Sequence, residues 1–191
     1  MAKLVPKGGE EIAYQGRMLE IVNQDMTDGK NTITFEIARR TPGIRLILVN
    51  LVNRTVSLSK EHRYEIDGDD YRLPGGKVFD TLDEYNTFLN SGNVILLPAR
   101  DKAFGEAEEE VGLKLKDLKH FHTSVCGTTV KWDLFYFVST EWAEVDQRLG
   151  TGEDISRVEV TFEDARNIAL SGGMSEERSA LVLLRYLSSL A

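Results

Sequence analysis

Residues 105–113 read Gly105-Glu106-Ala107-Glu108-Glu109-Glu110-Val111-Gly112-Leu113, and the rest of the chain is best understood outward from them. They close a segment that predicts a helix, with Pro98 at its start, Ala99 to Val111 as its body and Gly112 as its stop. At about 100° per residue, Glu106, Glu109 and Glu110 share one arc of roughly 100°, while Glu108 points away. Glu106 and Glu110 form an i,i+4 acidic pair, which costs helix stability. Most charge runs of this kind are solvated helix faces. A shared hard cation would remove the repulsion, and Mg²⁺ suits the task because it takes oxygen ligands and is commonly completed by substrate phosphates. Upstream stands Leu73-Pro74-Gly75-Gly76-Lys77, whose Pro-Gly favours a type II turn and whose paired glycines let backbone approach a ligand closely. A turn carbonyl there is a further oxygen ligand.

Before the turn the chain reads as strands. Ile12 to Asp25 holds one, Thr32 to Arg39 alternates as a second, and Asp28-Gly29-Lys30-Asn31 between them is a hairpin turn. Ile44 to Val52 is a buried central strand, followed by a turn at Asn53-Arg54 and a strand from Thr55 to Ser59. Leu82, Tyr85, Phe88 and Leu89 mark a short amphipathic helix opened by Asp80 or Thr81. Beyond the glutamates, Leu118 to Val125, Val130 to Val138 and Ile155 to Thr161 read as strands. Thr161 and Asp164 resemble a helix cap, and Ser175 to Leu190 is the last helix. This order predicts a mixed α/β sandwich.

With 191 residues the chain is one domain, or one domain with a small N-terminal accessory. Its formal charge of −8 argues against affinity built on neutralising nucleic-acid phosphates. It leaves nucleotides with metals open, because a bound cation inverts the local field. One cysteine, Cys126, gives no internal disulfide, and no apolar run approaches the ~20 residues of a membrane helix. The expectation is a soluble cytoplasmic protein. Cys126, in an apolar-flanked turn, reads as packing, and Trp132, Phe135, Tyr136 and Phe137 read as core. His120 and His122 share a strand face without a third ligand at suitable spacing, so they read as ordinary sheet residues.

Together the glutamate run and the glycine turn resemble the Nudix hydrolase family, whose box reads G-x5-E-x7-R-E-U-x-E-E-x-G-U with U aliphatic. Glu106 to Leu113 matches the second half of the box at every fixed position, and Leu73 to Lys77 looks like its opening glycine. The order of Phe35 to Arg40, Ile44 to Val52, Lys60-Glu61-His62-Arg63-Tyr64, Gly152-Glu153-Asp154-Ile155 and Gly172-Gly173-Met174 is similar to the ADP-ribose pyrophosphatase branch, over about residues 15–190. The resemblance implies a Nudix-type α/β/α sandwich with a mixed central sheet. It divides the chain into N-terminal antiparallel strands (1–43) and a Nudix domain (44–191). Departures are visible. Gly76 lies 30 positions before Glu106 where the family pattern has 15, so an insertion occupies about 77–97. Reading Gly92 as the box glycine instead leaves the spacing one short. On either reading the first box glutamate is absent, with Leu97 or Pro98 in its place, and Gly105 replaces the arginine that orients the glutamates.

The resemblance further implies that Glu106, Glu109 and Glu110, with the Gly75 carbonyl and the loop residue Glu153, hold one to three Mg²⁺ or Mn²⁺ ions. The ions would activate water to split a pyrophosphate into two monophosphates. Glu109, Glu110 and Glu153 would then be catalytic. The family's base position falls at Thr151, which leaves Glu153 and Asp154 as candidates, with Glu153 preferred. Arg63 matches the arginine that contacts the substrate diphosphate, its alternative being a strand-end surface arginine paired with Glu61 or Glu65, and Arg72 and Lys77 beside the turn are further phosphate-binding candidates. The implied substrate is ADP-ribose, a related nucleoside diphosphate sugar or a related dinucleotide. The implied assembly is a homodimer through N-terminal strands, with neither nucleic acid nor membrane as partner. Two other functions stay open: a Nudix-fold nucleotide-binding or regulatory module of little activity, which the Gly105 and first-glutamate departures favour, and an acidic scaffold with no ligand.

Overall fold

The computed structural model describes residues 3–150 and 152–190. In chain order the first strands are β1 (Val5–Pro6), β2 (Glu11–Gln15), β3 (Leu19–Thr27), β4 (Thr32–Arg40), β5 (Gly43–Asn50), β6 (Thr55–Arg63) and β7 (Gly68–Arg72). Two helices follow, α1 (Leu82–Asn90) and α2 (Leu96–Val111). Then come β8 (Leu113–Leu115), β9 (Lys119–Ser124), β10 (Val130–Lys131), β11 (Leu134–Ser139), β12 (Trp142–Glu144), β13 (Ile155–Thr161), α3 (Phe162–Leu170) and α4 (Glu177–Ser189). The chain forms two compact units.

The first unit joins residues up to Pro42 with Lys77–Val94 and Val125–Leu134. Its sheet runs β1-β3-β4-β10, with β2 also on β3. The β3–β4 hairpin is in register from Leu19↔Arg40 to Thr27↔Thr32. Its turn forms as the sequence predicts, because Asp28 Oδ1 accepts from the amides of Lys30 (2.8 Å) and Asn31 (2.7 Å). The predicted strand at Ile12 to Asp25 is in fact two. The chain reverses after Gly16, whose amide donates to Leu19 O at 2.9 Å, so β2 folds back on β3. Helix α1 has the predicted cap, Thr81 Oγ1 accepting from Glu84 N at 3.2 Å. Glu20 is fully buried against Arg39 Nε (2.5 Å) and Asn86 Nδ2 (3.2 Å), so a charge-paired carboxylate lies in this unit's interior. Cys126 is exposed, which corrects its reading as a packed residue, and Trp132, read as core, is only half-buried, with the Arg40 guanidinium 4.4 Å over its ring.

The second unit comprises Gly43–Gly76, Ile95–Ser124 and the chain from Phe135 onward. Its main sheet runs β13-β6-β5-β11-β9, with β7 also on β6 and a separate β12–β8 pair. The apolar run Ile44, Leu46, Ile47, Leu48 and Val49 is fully buried, as expected of a central strand covered on both faces. Phe135, Tyr136 and Phe137 join that core. The predicted strand Val130 to Val138 is broken at Trp132-Asp133. Val130 and Lys131 pair in parallel with Ala38 and Arg39 of the first unit's sheet, and β11 enters the second.

Helix α2 positions the glutamates. Ala99, Ala103, Ala107 and Val111 form one i,i+4 row, each nearly fully buried, and α2 packs on β5, β8 and β13. Small side chains let the helix approach the sheet closely. The adjoining row of Lys102, Glu106 and Glu110 is therefore drawn inward. Gly112 ends the helix in the left-handed region (φ +63°) with its amide on Ala107 O. A side chain there would meet Val145 O at 2.7 Å. Among the described residues no helix is long and apolar enough to cross a membrane.

Candidate functional site

The Pro74–Gly76 turn runs beside the start of β5. Ile44 N donates to Gly76 O (2.9 Å) and Leu46 N to Pro74 O (2.8 Å), so the turn is fastened by backbone on the strand side. Its other side faces α2. The Gly75 amide donates to Glu110 Oε2 at 2.7 Å. Gly76 abuts Glu106 so closely that an added Cβ would fall 2.1 Å from Glu106 Oε1. The paired glycines thus have separate reasons: Gly75 (φ +150°) has no room beside the Ile44 carbonyl, and Gly76 leaves space for a carboxylate.

Glu106 is 9% exposed, and Lys102 Nζ lies 3.4 Å from its Oε1. Burial pushes the Glu106 carboxyl up, opposed by Lys102 and reinforced by the charges of Glu109 and Glu153. Burial also pushes Glu110 up to about 8, with Glu106 and Glu61 adding repulsion; the Gly75 amide and Arg45 oppose it. Glu109 is exposed, and Glu108 turns away to Arg148 (3.0 Å).

The loop before β13 wraps the end of α2 and satisfies its orphan carbonyls. Arg148 N donates to Glu109 O (3.1 Å), Val145 N to Gly112 O (2.9 Å), and Gln147 Nε2 to Glu110 O. That path brings Glu153 into the field of Glu106, with its Oε2 accepting from the Gly150 amide at 2.8 Å. Asp154 is exposed; Thr151 lies outside the described residues.

Arg63 reaches Glu61 and Glu65, both at 3.2 Å, and Arg72 reaches the same Glu61 oxygen at 3.4 Å. Arg72 also lies 3.7 Å from buried Asp70, which accepts from the amide and hydroxyl of Ser175 (2.8 and 2.6 Å). Lys77 is half-buried and begins the segment that clusters with the first unit. The two contacts of Arg63 are those of a strand-end arginine paired with Glu61 and Glu65. Two charged residues near Glu110 were assigned no place in the site by the sequence. Glu61 holds both arginines and repels Glu110. Arg45, 9% exposed on β5, attracts Glu110 and stands 3.9 Å from Glu176. One charge inside the apolar run Ile44 to Val49 was the available signal.

His120 stacks edge-on with Phe137 and bonds Thr123 Oγ1 (2.9 Å), while His122 lies against Tyr136. Among the described residues no three His, Cys, Asp or Glu side chains are disposed to hold a metal ion. The donor set nevertheless suits a hard cation by its chemistry. It is all oxygen, and two of its carboxylates lie in a desolvated and mutually repulsive setting.

No family model matches the sequence, and no curated protein matches it significantly. Among solved structures, the chain is similar to the crystal structure of an ADP compounds hydrolase, with a TM-score of 0.66 and 16% identity over 96% of this chain and 92% of that one. The architecture is accordingly a Nudix-type α/β/α sandwich with a mixed central sheet and an N-terminal antiparallel strand region.

Proposed function

We propose that this protein hydrolyses the pyrophosphate of a nucleoside diphosphate linked to a second moiety, ADP-ribose or a related nucleotide sugar, to two monophosphates with a divalent metal. The observation that carries the reading is the seating of Glu106 and Glu110 on the Gly75-Gly76 turn, with Glu109 and Glu153 beside them. Likeness of fold to an ADP compounds hydrolase supports it. Glu106, Glu109, Glu110, Glu153 and the Gly75 carbonyl would hold Mg²⁺ or Mn²⁺. When bound, such an ion neutralises phosphate charge and lowers the pKa of water.

The chain's own residues do the rest. Glu61 holds Arg63 and Arg72 side by side, and a planar guanidinium matches two phosphate oxygens at once. Lys77, next in the chain after the turn, is a further phosphate-binding candidate. Glu153 lies on an exposed loop and is the carboxylate assigned to receive the proton of the attacking water at Oε2.

The test is hydrolysis of a nucleoside diphosphate sugar panel with Mg²⁺ and Mn²⁺, comparing wild type with Glu109→Gln. This exposed side chain is not needed for packing, so the variant should fold normally and lose roughly 100-fold or more in kcat/KM. A variant as active as wild type would remove Glu109 from the site. A second reading, a nucleotide-binding module of little activity, is favoured by Gly105 and by the lack of a convergent ligand triple among the described residues. It expects no turnover while a nucleotide still raises Tm.

We further propose a homodimer through the N-terminal strands. Every residue of β2 is exposed, including Ile12 and Tyr14, and Ile33 on β4 is half-exposed. Sedimentation should give twice 21.5 kDa, and a monomer mass would refute the assembly.

A further inference from the structure

The row Lys102, Glu106, Glu110 runs along α2 at i,i+4 spacing, and its first member is a cation. Lys102 Nζ lies 3.4 Å from Glu106 Oε1, the same oxygen that abuts Gly76. Burial beside the turn leaves this carboxylate few exposed approaches. The other acidic groups nearby are also turned to internal donors: Glu110 to the Gly75 amide and Glu153 to the Gly150 amide. Glu106 is the member of this set paired with a side-chain cation, Lys102, about one-third exposed at the helix surface, whereas the other two accept from backbone amides.

We infer that Lys102 is a tethered counter-ion of the metal-free carboxylate site, which an incoming divalent cation must displace from Glu106. The inference rests on the reading of Glu106 as a metal ligand. An ammonium and a divalent ion on one carboxylate oxygen repel strongly at such range, so the lysine swings outward as the metal enters. Its charge thereby sets the affinity for metal. It also supplies, from one turn earlier on the helix, a cation beside the glutamates where Gly105 carries none.

The experiment is titration of the metal-free protein with Mn²⁺, followed by calorimetry or by the free-ion spin resonance signal, for wild type, Lys102→Met, Lys102→Gln and Lys102→Arg. Both neutral variants should bind about 5- to 10-fold more tightly than wild type, and Lys102→Arg within about 2-fold of it. Without metal the neutral variants should melt below wild type, and saturating Mn²⁺ should close that gap. Neutral variants that bind no tighter, beside a wild type that does bind Mn²⁺, overturn the counter-ion and leave the metal site standing. A wild type that binds no Mn²⁺ overturns both.

Discussion

Gly75→Ala is expected to destabilise the protein severely, and Gly76→Ala to leave its stability nearly unchanged but its activity lost. The two glycines are neighbours, and the difference lies in what each would strike. A Cβ on Gly75 would stand 2.2 Å from the Ile44 carbonyl oxygen and 2.9 Å from its carbon, at a φ of +150° that L-residues rarely adopt. Neither partner can yield, because Ile44 is in the buried central strand and the turn is bonded to that strand on both sides of the clash. Strain and overpacking together cost roughly 2–6 kcal/mol, a large share of a typical domain's 5–15 kcal/mol. Tm should fall by about 10 °C or more. A Cβ on Gly76 meets only the carboxylate end of Glu106, at 2.1, 2.5 and 2.9 Å. That end can rotate away. Thermal stability should therefore change by about 1 kcal/mol or less, while displacement of Glu106 should cut hydrolysis roughly 100-fold. Melting curves and panel assays of both variants check this. Full activity in Gly76→Ala would mean that Glu106 need not sit on the turn.

The glutamate helix was legible because its signals are local: a proline near the start, a glycine that must be left-handed at the end, and a row of carboxylates fixed by helical periodicity. The same holds for the Asp28 turn and for the Thr81 and Thr161 caps, where a side chain bonds an amide two or three residues on. Features set by distant chain were not. Val130 to Val138 alternates like one strand, yet its halves pair in different sheets, and alternation carries no record of the partner. The run from Ile12 to Asp25 hid a reversal at Gly16 because both arms are equally strand-like. Glu61 is a similar case: its pairing with Arg63 two residues on was readable, but its contact with Arg72 follows from the β6–β7 register, Glu61↔Asp70, and its repulsion of Glu110 from tertiary packing, neither of which any spacing in the sequence states. The inserted segment clusters with the N-terminal strands, a long-range outcome for which residues 77–94 show no local mark.

Glu110→Gln separates the cost of the site from its use. The Glu110 carboxyl titrates at about 8 in the folded protein against an ordinary 4.5, chiefly because it is desolvated, with Glu106 and Glu61 adding repulsion. Below pH 4.5 both folded and unfolded chains hold this proton, so the group contributes no pH dependence there. Between 4.5 and 8 the unfolded chain releases it and the folded chain retains it, so stability falls as pH rises through this window; above 8 the loss is complete. Glutamine keeps an oxygen for the Gly75 amide and carries no charge at any pH. Metal-free Glu110→Gln should therefore match wild type near pH 5 and exceed it by a margin on the order of 3 kcal/mol near pH 9. Mn²⁺ should invert that ranking, because an ionised Glu110 becomes a ligand and its desolvation is offset, whereas the amide gains little. Hydrolysis by the variant should be lost in parallel. Denaturant melts at pH 5, 7 and 9, with and without Mn²⁺, would settle the matter. A metal-free variant no more stable than wild type at pH 9 would mean that Glu110 is not the strained group of this site.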